Sequence, residues 1–197
     1  ITNFNSVIVF AHRNRLNINQ LEDKAVEIAR QIKLLILDVD GVLTDGSLYF
    51  DADGEQLKVF NSLDGHGIKM LISSGVQVAI ITARETPAVA QRARNLGIEH
   101  LYQGRQNKIP AMEELLQATN ISLQEVAYLG DDLPDLPVIR KVGLGMTVSS
   151  GYDFLKEYSH WCSQKPGGKG AVREACDFIM AAQGTLQPAL DRYLHES

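Results

Sequence analysis

Two acidic clusters sit where apolar runs end. Leu37-Asp38-Val39-Asp40-Gly41-Val42-Leu43-Thr44-Asp45-Gly46 follows the run at residues 33–37, and Gly130-Asp131-Asp132-Leu133-Pro134-Asp135 follows a run ending at Leu129. Carboxylates leaving a buried strand repel one another in a low-dielectric setting, so they need a compensating cation or another purpose. Three or four of them brought together offer only hard oxygen donors, the coordination that Mg²⁺ prefers. One such cluster alone would fit a turn and a helix cap. Two, each at the end of an expected strand, point to a metal site.

The clusters can meet only if their strands lie parallel in one sheet. Short apolar runs at residues 33–37, 76–81, 100–102, 126–129 and 143–148 alternate with helical stretches at 64–74, 86–96, 107–119, 133–141 and 168–183. That alternation implies an α/β fold, a doubly wound three-layer Rossmann-like parallel sheet with right-handed crossovers. Ligands in such sheets sit beyond the carboxyl ends of the strands, where both acidic clusters fall. Residues 48–60 break the alternation: two β-prone arms flank Asp53-Gly54, a strong hairpin signal. Directly after the first strand, a hairpin over 47–60 would stand above the carboxyl edge as a flap. The expected organisation is an N-terminal arm and helix (1–31, the arm over 1–18 and the helix capped by Asn19), a main domain (32–184) and a C-terminal tail (185–197).

With 197 residues, 45% hydrophobic and 22% charged, the chain can bury a core without disulfides. A net charge of −5 argues against nucleic acid or an anionic membrane as the main partner. No run approaches the ~20 apolar residues of a membrane helix. Cys162 and Cys176 lack metal or redox spacing, and are expected as free thiols of a cytoplasmic protein.

Asp38-Val39-Asp40-Gly41-Val42-Leu43-Thr44 resembles the first motif of the haloacid-dehalogenase (HAD) phosphohydrolases. Ile80-Ile81-Thr82 is similar to the second, Lys108 after Gly104-Arg105-Gln106-Asn107 to the third, and residues 130–135 to the acidic fourth. Residues 60–68, 80–84, 101–104, 126–132 and 167–174 further resemble the family of 3-deoxy-D-manno-octulosonate 8-phosphate (Kdo 8-phosphate) phosphatases, over about residues 32–184. Ala83, His66 and Lys169 stand where that family commonly has Gly, an aromatic residue and Arg.

The resemblance implies a Mg²⁺-dependent phosphomonoesterase of Kdo and lipopolysaccharide biosynthesis, with no separate cap domain. Asp38 would be the nucleophile, forming an aspartyl-phosphate, and Asp40 the general acid and base. Mg²⁺ would be held by Asp38, Asp131 and the Asp40 main-chain carbonyl. Lys108, Thr82 and backbone N–H groups after Asp38 would hold the transferring group. Asp132 and Asp135 would orient metal waters and Lys108. The implied substrate face is Asp40, Asn61, Ser62, Leu63, Asp64, Gly65, Lys69, Arg84, Arg92 and Lys108; a cation there suits the sugar-acid carboxylate. His66 reads as a packed or wall residue. Cap-less members of the family are tetramers in which a neighbour's hairpin and tail complete the site, so a homotetramer is expected, with 48–60 and 184–197 in those roles.

Nucleotide-binding readings fail on spacing. Gly167-Gly168-Lys169-Gly170 lacks both the earlier Gly and the Ser or Thr after Lys of a P-loop. The nearest enzyme alternative is a phosphatase of a related nine-carbon sugar acid phosphate. An alternative of another class is a non-catalytic regulatory or scaffold subunit, against which the intact Asp38, Asp40, Lys108 and Asp131 argue.

Overall fold

The computed structural model describes residues 18–54 and 56–195. In chain order these form α1 (Ile18–Ala29), β1 (Leu34–Leu37), β2 (Tyr49–Phe50), β3 (Gln56–Leu57), α2 (Ser62–Ser73), β4 (Gln77–Ile81), α3 (Pro87–Leu96), β5 (His100–Tyr102), α4 (Lys108–Thr119), β6 (Val126–Gly130), α5 (Leu136–Ile139), β7 (Leu144–Thr147), α6 (Asp153–Lys156), β8 (Trp161–Cys162), α7 (Ala171–Ala182) and α8 (Leu186–His195). Asn19 lies inside α1 rather than before it. The arm expected over 1–18 falls, but for Ile18, outside the described residues.

The larger sheet is parallel, in the order β5-β4-β1-β6-β7-β8. Its central strand has no polar position because helices cover both of its faces. Leu35 and Leu37 pack into one core with Ile68, Ile80, Leu129, Val172 and Ile179; Leu34 and Ile36 pack into the other with Ala79, Met112, Leu115, Tyr128 and Ile139. Each aliphatic side chain so buried contributes about 1.5–3 kcal/mol of transfer free energy. These are the three expected layers. The short strand β8 was not expected, since two residues carry no periodicity.

The helix boundaries moved for local reasons. Helix α2 starts at Ser62, earlier than expected, because Asn61 accepts from the Leu63 and Asp64 amides. The stretch expected as one helix over 133–141 splits into a 3₁₀ turn (Leu133–Asp135) and α5, with Pro134 and Pro137 early in each. The segment 185–197, expected as a tail, contains α8, whose Leu186 and Leu190 pack against the first core.

Strands β2 and β3 pair antiparallel, Tyr49 opposite Leu57 and Phe50 opposite Gln56, outside the larger sheet. Gly54, at φ +82°, makes the left-handed turn that a side chain would resist. Leu48, Phe50, Leu57 and Val59 remain exposed on this hairpin. Among the described residues, no helix is long and apolar enough to cross a membrane.

Candidate active site

In the sheet register Leu37 lies beside Ile80 on one side and Leu129 on the other. Asp38, Thr82 and Asp131 therefore leave the sheet at one edge. After Asp38 the chain curls back on itself, with the Val42, Leu43 and Thr44 amides all donating to the Val39 carbonyl. Buried Val39, Val42 and Leu43 pin this loop to the core. Gly41 sits at φ +84°, and a Cβ there would come within 1.9 Å of Asp131 Oδ2. A side chain at that position would push Asp131 out of place.

Lys108 is the first residue of α4, whose Asn107 cap accepts from the Ile109 amide. It is buried, and its ammonium lies 2.9 Å from Asp38 Oδ1 and 2.6 Å from Asp135 Oδ1. Asp135 is the hub. Its Oδ1 also accepts from the Tyr128 hydroxyl at 2.5 Å, and its Oδ2 accepts from the Asp131 and Asp132 amides at 2.9 and 3.2 Å. One buried carboxylate thus orients the lysine and fixes the backbone that presents Asp131.

Asp38, Asp131 and Asp135 can each offer a carboxylate oxygen within 4.8 Å of the others. Asp135 has both oxygens engaged, which leaves Asp38 and Asp131 as the open donors. Burial, then the charge of Asp135, pushes the Asp38 carboxyl up to about 7, against the pull of Lys108. Burial, Asp135 and Asp38 push Asp131 up to about 8. Lys108 is disfavoured by burial, but Asp38 and Asp135 lift it above an ordinary lysine, so it stays charged. One ammonium does not balance three converging carboxylates. The surplus of anionic oxygen fits a hard divalent cation such as Mg²⁺.

This surplus has a measurable consequence. A carboxyl raised in the folded state holds a proton that the unfolded chain has released, so stability falls as pH rises from the unfolded toward the folded pKa. Without metal, the melting temperature is expected to fall between about pH 5 and about pH 8. Added Mg²⁺ should raise it more at the alkaline end. Calorimetry at both pH values checks this; an equal Mg²⁺ shift at the two would mean that the ion does not relieve these carboxylates.

Other expected site residues are placed as follows. Asp40 pairs with Lys58 through Oδ1, and its Oδ2 lies 3.7 Å from Arg84 Nε. Thr82 is buried at the β4 exit, where its carbonyl accepts from the Arg105 amide. Asp132 caps the 3₁₀ turn by accepting from the Leu133 amide. Asn61, besides capping α2, donates to the Gly168 carbonyl at 3.2 Å. Asp64 accepts from the Gly170 and Arg173 amides at the start of α7; burial raises its carboxyl. Gly65 leaves room for Arg92, whose Nη2 donates to the Asn61 carbonyl while its guanidinium lies over the Phe60 ring. Asn61, Asp64, Gly65 and Arg92 thus engage protein groups that shape the edge. Ser62 and Leu63 are exposed in the first turn of α2. Lys69 lies further along that helix, in a cleft of about 530 Å³ with Arg192 and Tyr193 of α8. His66 is edge-on to Tyr193, with its Nε2 3.1 Å from the phenol oxygen.

Sequence reasoning missed Lys58, Gln56 and Tyr128. The first two had a readable signal: Gln56 and Lys58 alternate with Leu57 and Val59, which puts two polar side chains on one face of the arm.

Residues 100–174 match the model of the haloacid dehalogenase-like hydrolases. The Yersinia pestis 3-deoxy-D-manno-octulosonate 8-phosphate phosphatase KdsC is 47% identical over 85% of this chain and 89% of that protein. The chain belongs to the Kdo 8-phosphate phosphatase family. The Escherichia coli K12 member is 48% identical over 82% of this chain and 86% of its own. A Moraxella catarrhalis member, solved with a magnesium ion, a phosphate ion and a KDO molecule, superposes with a TM-score of 0.85 at 38% identity, covering 87% of this chain and 98% of that one. Family membership does not favour the nine-carbon and non-catalytic alternatives.

Proposed function

We propose that this chain hydrolyses Kdo 8-phosphate to Kdo and inorganic phosphate, a step of Kdo and lipopolysaccharide biosynthesis, through a phosphoenzyme on Asp38. The observation that carries the reaction is Asp38 Oδ1, at the sheet edge beside Asp131, 2.9 Å from a lysine kept charged. The substrate rests on the likeness to KdsC over 85% of this chain and 89% of that protein.

A phosphate dianion repels an anionic nucleophile, so charge must be neutralised before attack. Asp38, Asp131 and the Asp40 carbonyl would hold Mg²⁺, which supplies that neutralisation and aligns phosphate with nucleophile when bound. Lys108 adds a fixed positive charge on the transferring group; Asp135 keeps it aimed. The Thr82 hydroxyl and the amides after Asp38 hold the phosphate oxygens. Asp40 gives a proton to the departing sugar oxygen, then takes one from the water that opens the acyl phosphate.

A panel of sugar-acid phosphates tests the substrate: phosphate release should be fastest from Kdo 8-phosphate, and a faster nine-carbon substrate would reassign it. Arg84, about half exposed at the mouth, suits the substrate carboxylate. Arg84→Ala is expected to lower kcat/KM for Kdo 8-phosphate by about 10–100-fold. Its effect on p-nitrophenyl phosphate, which lacks that carboxylate, should stay within about threefold. Equal losses would make Arg84 a general phosphate ligand.

The apolar side chains exposed together on the hairpin support self-association, read here as a homotetramer, because grouped apolar surface marks interfaces. Light scattering should give a four-chain mass, and a monomer would remove the reading. The free thiols Cys162 and Cys176 support a reducing, cytoplasmic location.

A further inference from the structure

We infer that Lys58 is a positioning residue for the proton transfers of Asp40, which makes the return arm of the hairpin part of the catalytic machinery. The inference rests on the proposed acid and base role of Asp40.

Lys58 is anomalous where it stands. Its neighbours Leu57 and Val59 are exposed on a thin two-stranded hairpin, yet its own side chain is only 2% exposed. Lysines are almost never buried without a partner. The partner here is Asp40 Oδ1. Asp40 itself is open, its side chain 26% exposed on the loop after β1. Its second oxygen faces Arg84 Nε at 3.7 Å, and Arg84 Nη1 donates to Gln56 Oε1 at 3.4 Å. Lys58 and Gln56, two residues apart on one face of the arm, therefore hold the Asp40 carboxylate, Lys58 directly and Gln56 through Arg84.

Proton transfer tolerates little angular error, and a partly exposed aspartate without a fixed partner has free rotamers. Fixing one oxygen with Lys58 leaves the other in a defined direction. In the first step the bond from phosphorus to Asp38 forms, the bond to the sugar oxygen breaks, and the Asp40 proton goes to that oxygen. In the second, water oxygen bonds phosphorus, the Asp38–phosphorus bond breaks, and a water proton returns to Asp40. Lys58 neither gives nor takes a proton in this cycle.

The test compares Lys58→Met, Lys58→Arg and Asp40→Asn by steady-state and rapid-mixing kinetics with Mg²⁺. With Kdo 8-phosphate, Lys58→Met is expected to lower kcat about 30-fold or more with KM within about threefold, in the direction of Asp40→Asn. Lys58→Arg should recover most of the loss. With p-nitrophenyl phosphate the phenolate leaves unprotonated, but the second step still needs Asp40. Lys58→Met should then release a rapid burst of one nitrophenolate per site before slow turnover. A kcat within threefold of the parent, a loss confined to KM, or a slow turnover without a burst overturns the inference if Asp40→Asn is impaired. An unimpaired Asp40→Asn instead overturns the reading of Asp40 beneath it. Should Lys58→Met not fold, Lys58→Ala is assayed with added ethylammonium: recovery of kcat supports positioning, and its failure overturns it.

Discussion

Asp38→Asn is expected to stop turnover, by on the order of 10⁴-fold or more in kcat, without harming the fold. The amide keeps the shape of the carboxylate but cannot form the covalent intermediate. The stability readout should move the other way. Burial and Asp135 already push the Asp38 carboxyl up to about 7, so the folded protein gains when that charge is deleted. Lys108 keeps Asp135 as its partner. In metal-free buffer above neutral pH the variant should melt at or above the parent temperature, while phosphate release falls to background. Retained turnover would show that another group attacks phosphorus. A large drop in melting temperature would show that the Asp38 charge stabilises the edge.

Lys108→Ala should fail on both counts. Its ammonium lies 2.9 Å from the Asp38 oxygen proposed to attack, and removing such a group costs about 10²–10³-fold in rate. It also neutralises buried Asp135 and faces Asp38. Breaking a buried pair by deleting one partner destabilises by about 3–5 kcal/mol, because the survivor keeps its desolvation penalty. The metal-free variant should therefore melt lower, and Mg²⁺ should recover stability more than activity. A rate loss below tenfold would take Lys108 out of the transition state and leave it a structural counter-ion.

Much of this architecture was legible in the amino-acid order, for a physical reason. A strand buried on both faces must be apolar throughout, so the runs ending at Leu37, Ile81 and Leu129 declared themselves, as did the acids beyond two of them. What escaped depends on three-dimensional neighbours. The hub role of Asp135 comes from Lys108 of α4, Tyr128 of β6 and two amides meeting on it, which no local pattern encodes. Asp64 looked like part of a substrate face, but its carboxylate is spent on the N-terminus of α7, far along the chain. The alternation of Gln56 and Lys58 with Leu57 and Val59 could not say which face turns inward, and hairpins usually turn polar residues outward. Here the surface beneath the hairpin is the charged one, and the usual sense is reversed.

The loop 167–170 carries one more consequence. Gly168 donates its amide to Val42, and Gly167 packs so closely on Gly41 that a Cβ would lie 1.7 Å from the Gly41 carbonyl oxygen. The turn that follows Asp38 is thus seated by backbone that leaves the ribosome long after it. A nascent chain stalled before Gly167 would carry both acidic motifs without that seat. Competence is therefore expected only after residues 167–170 have been made and α7 can dock, and fragments ending upstream of that point are expected to be inert.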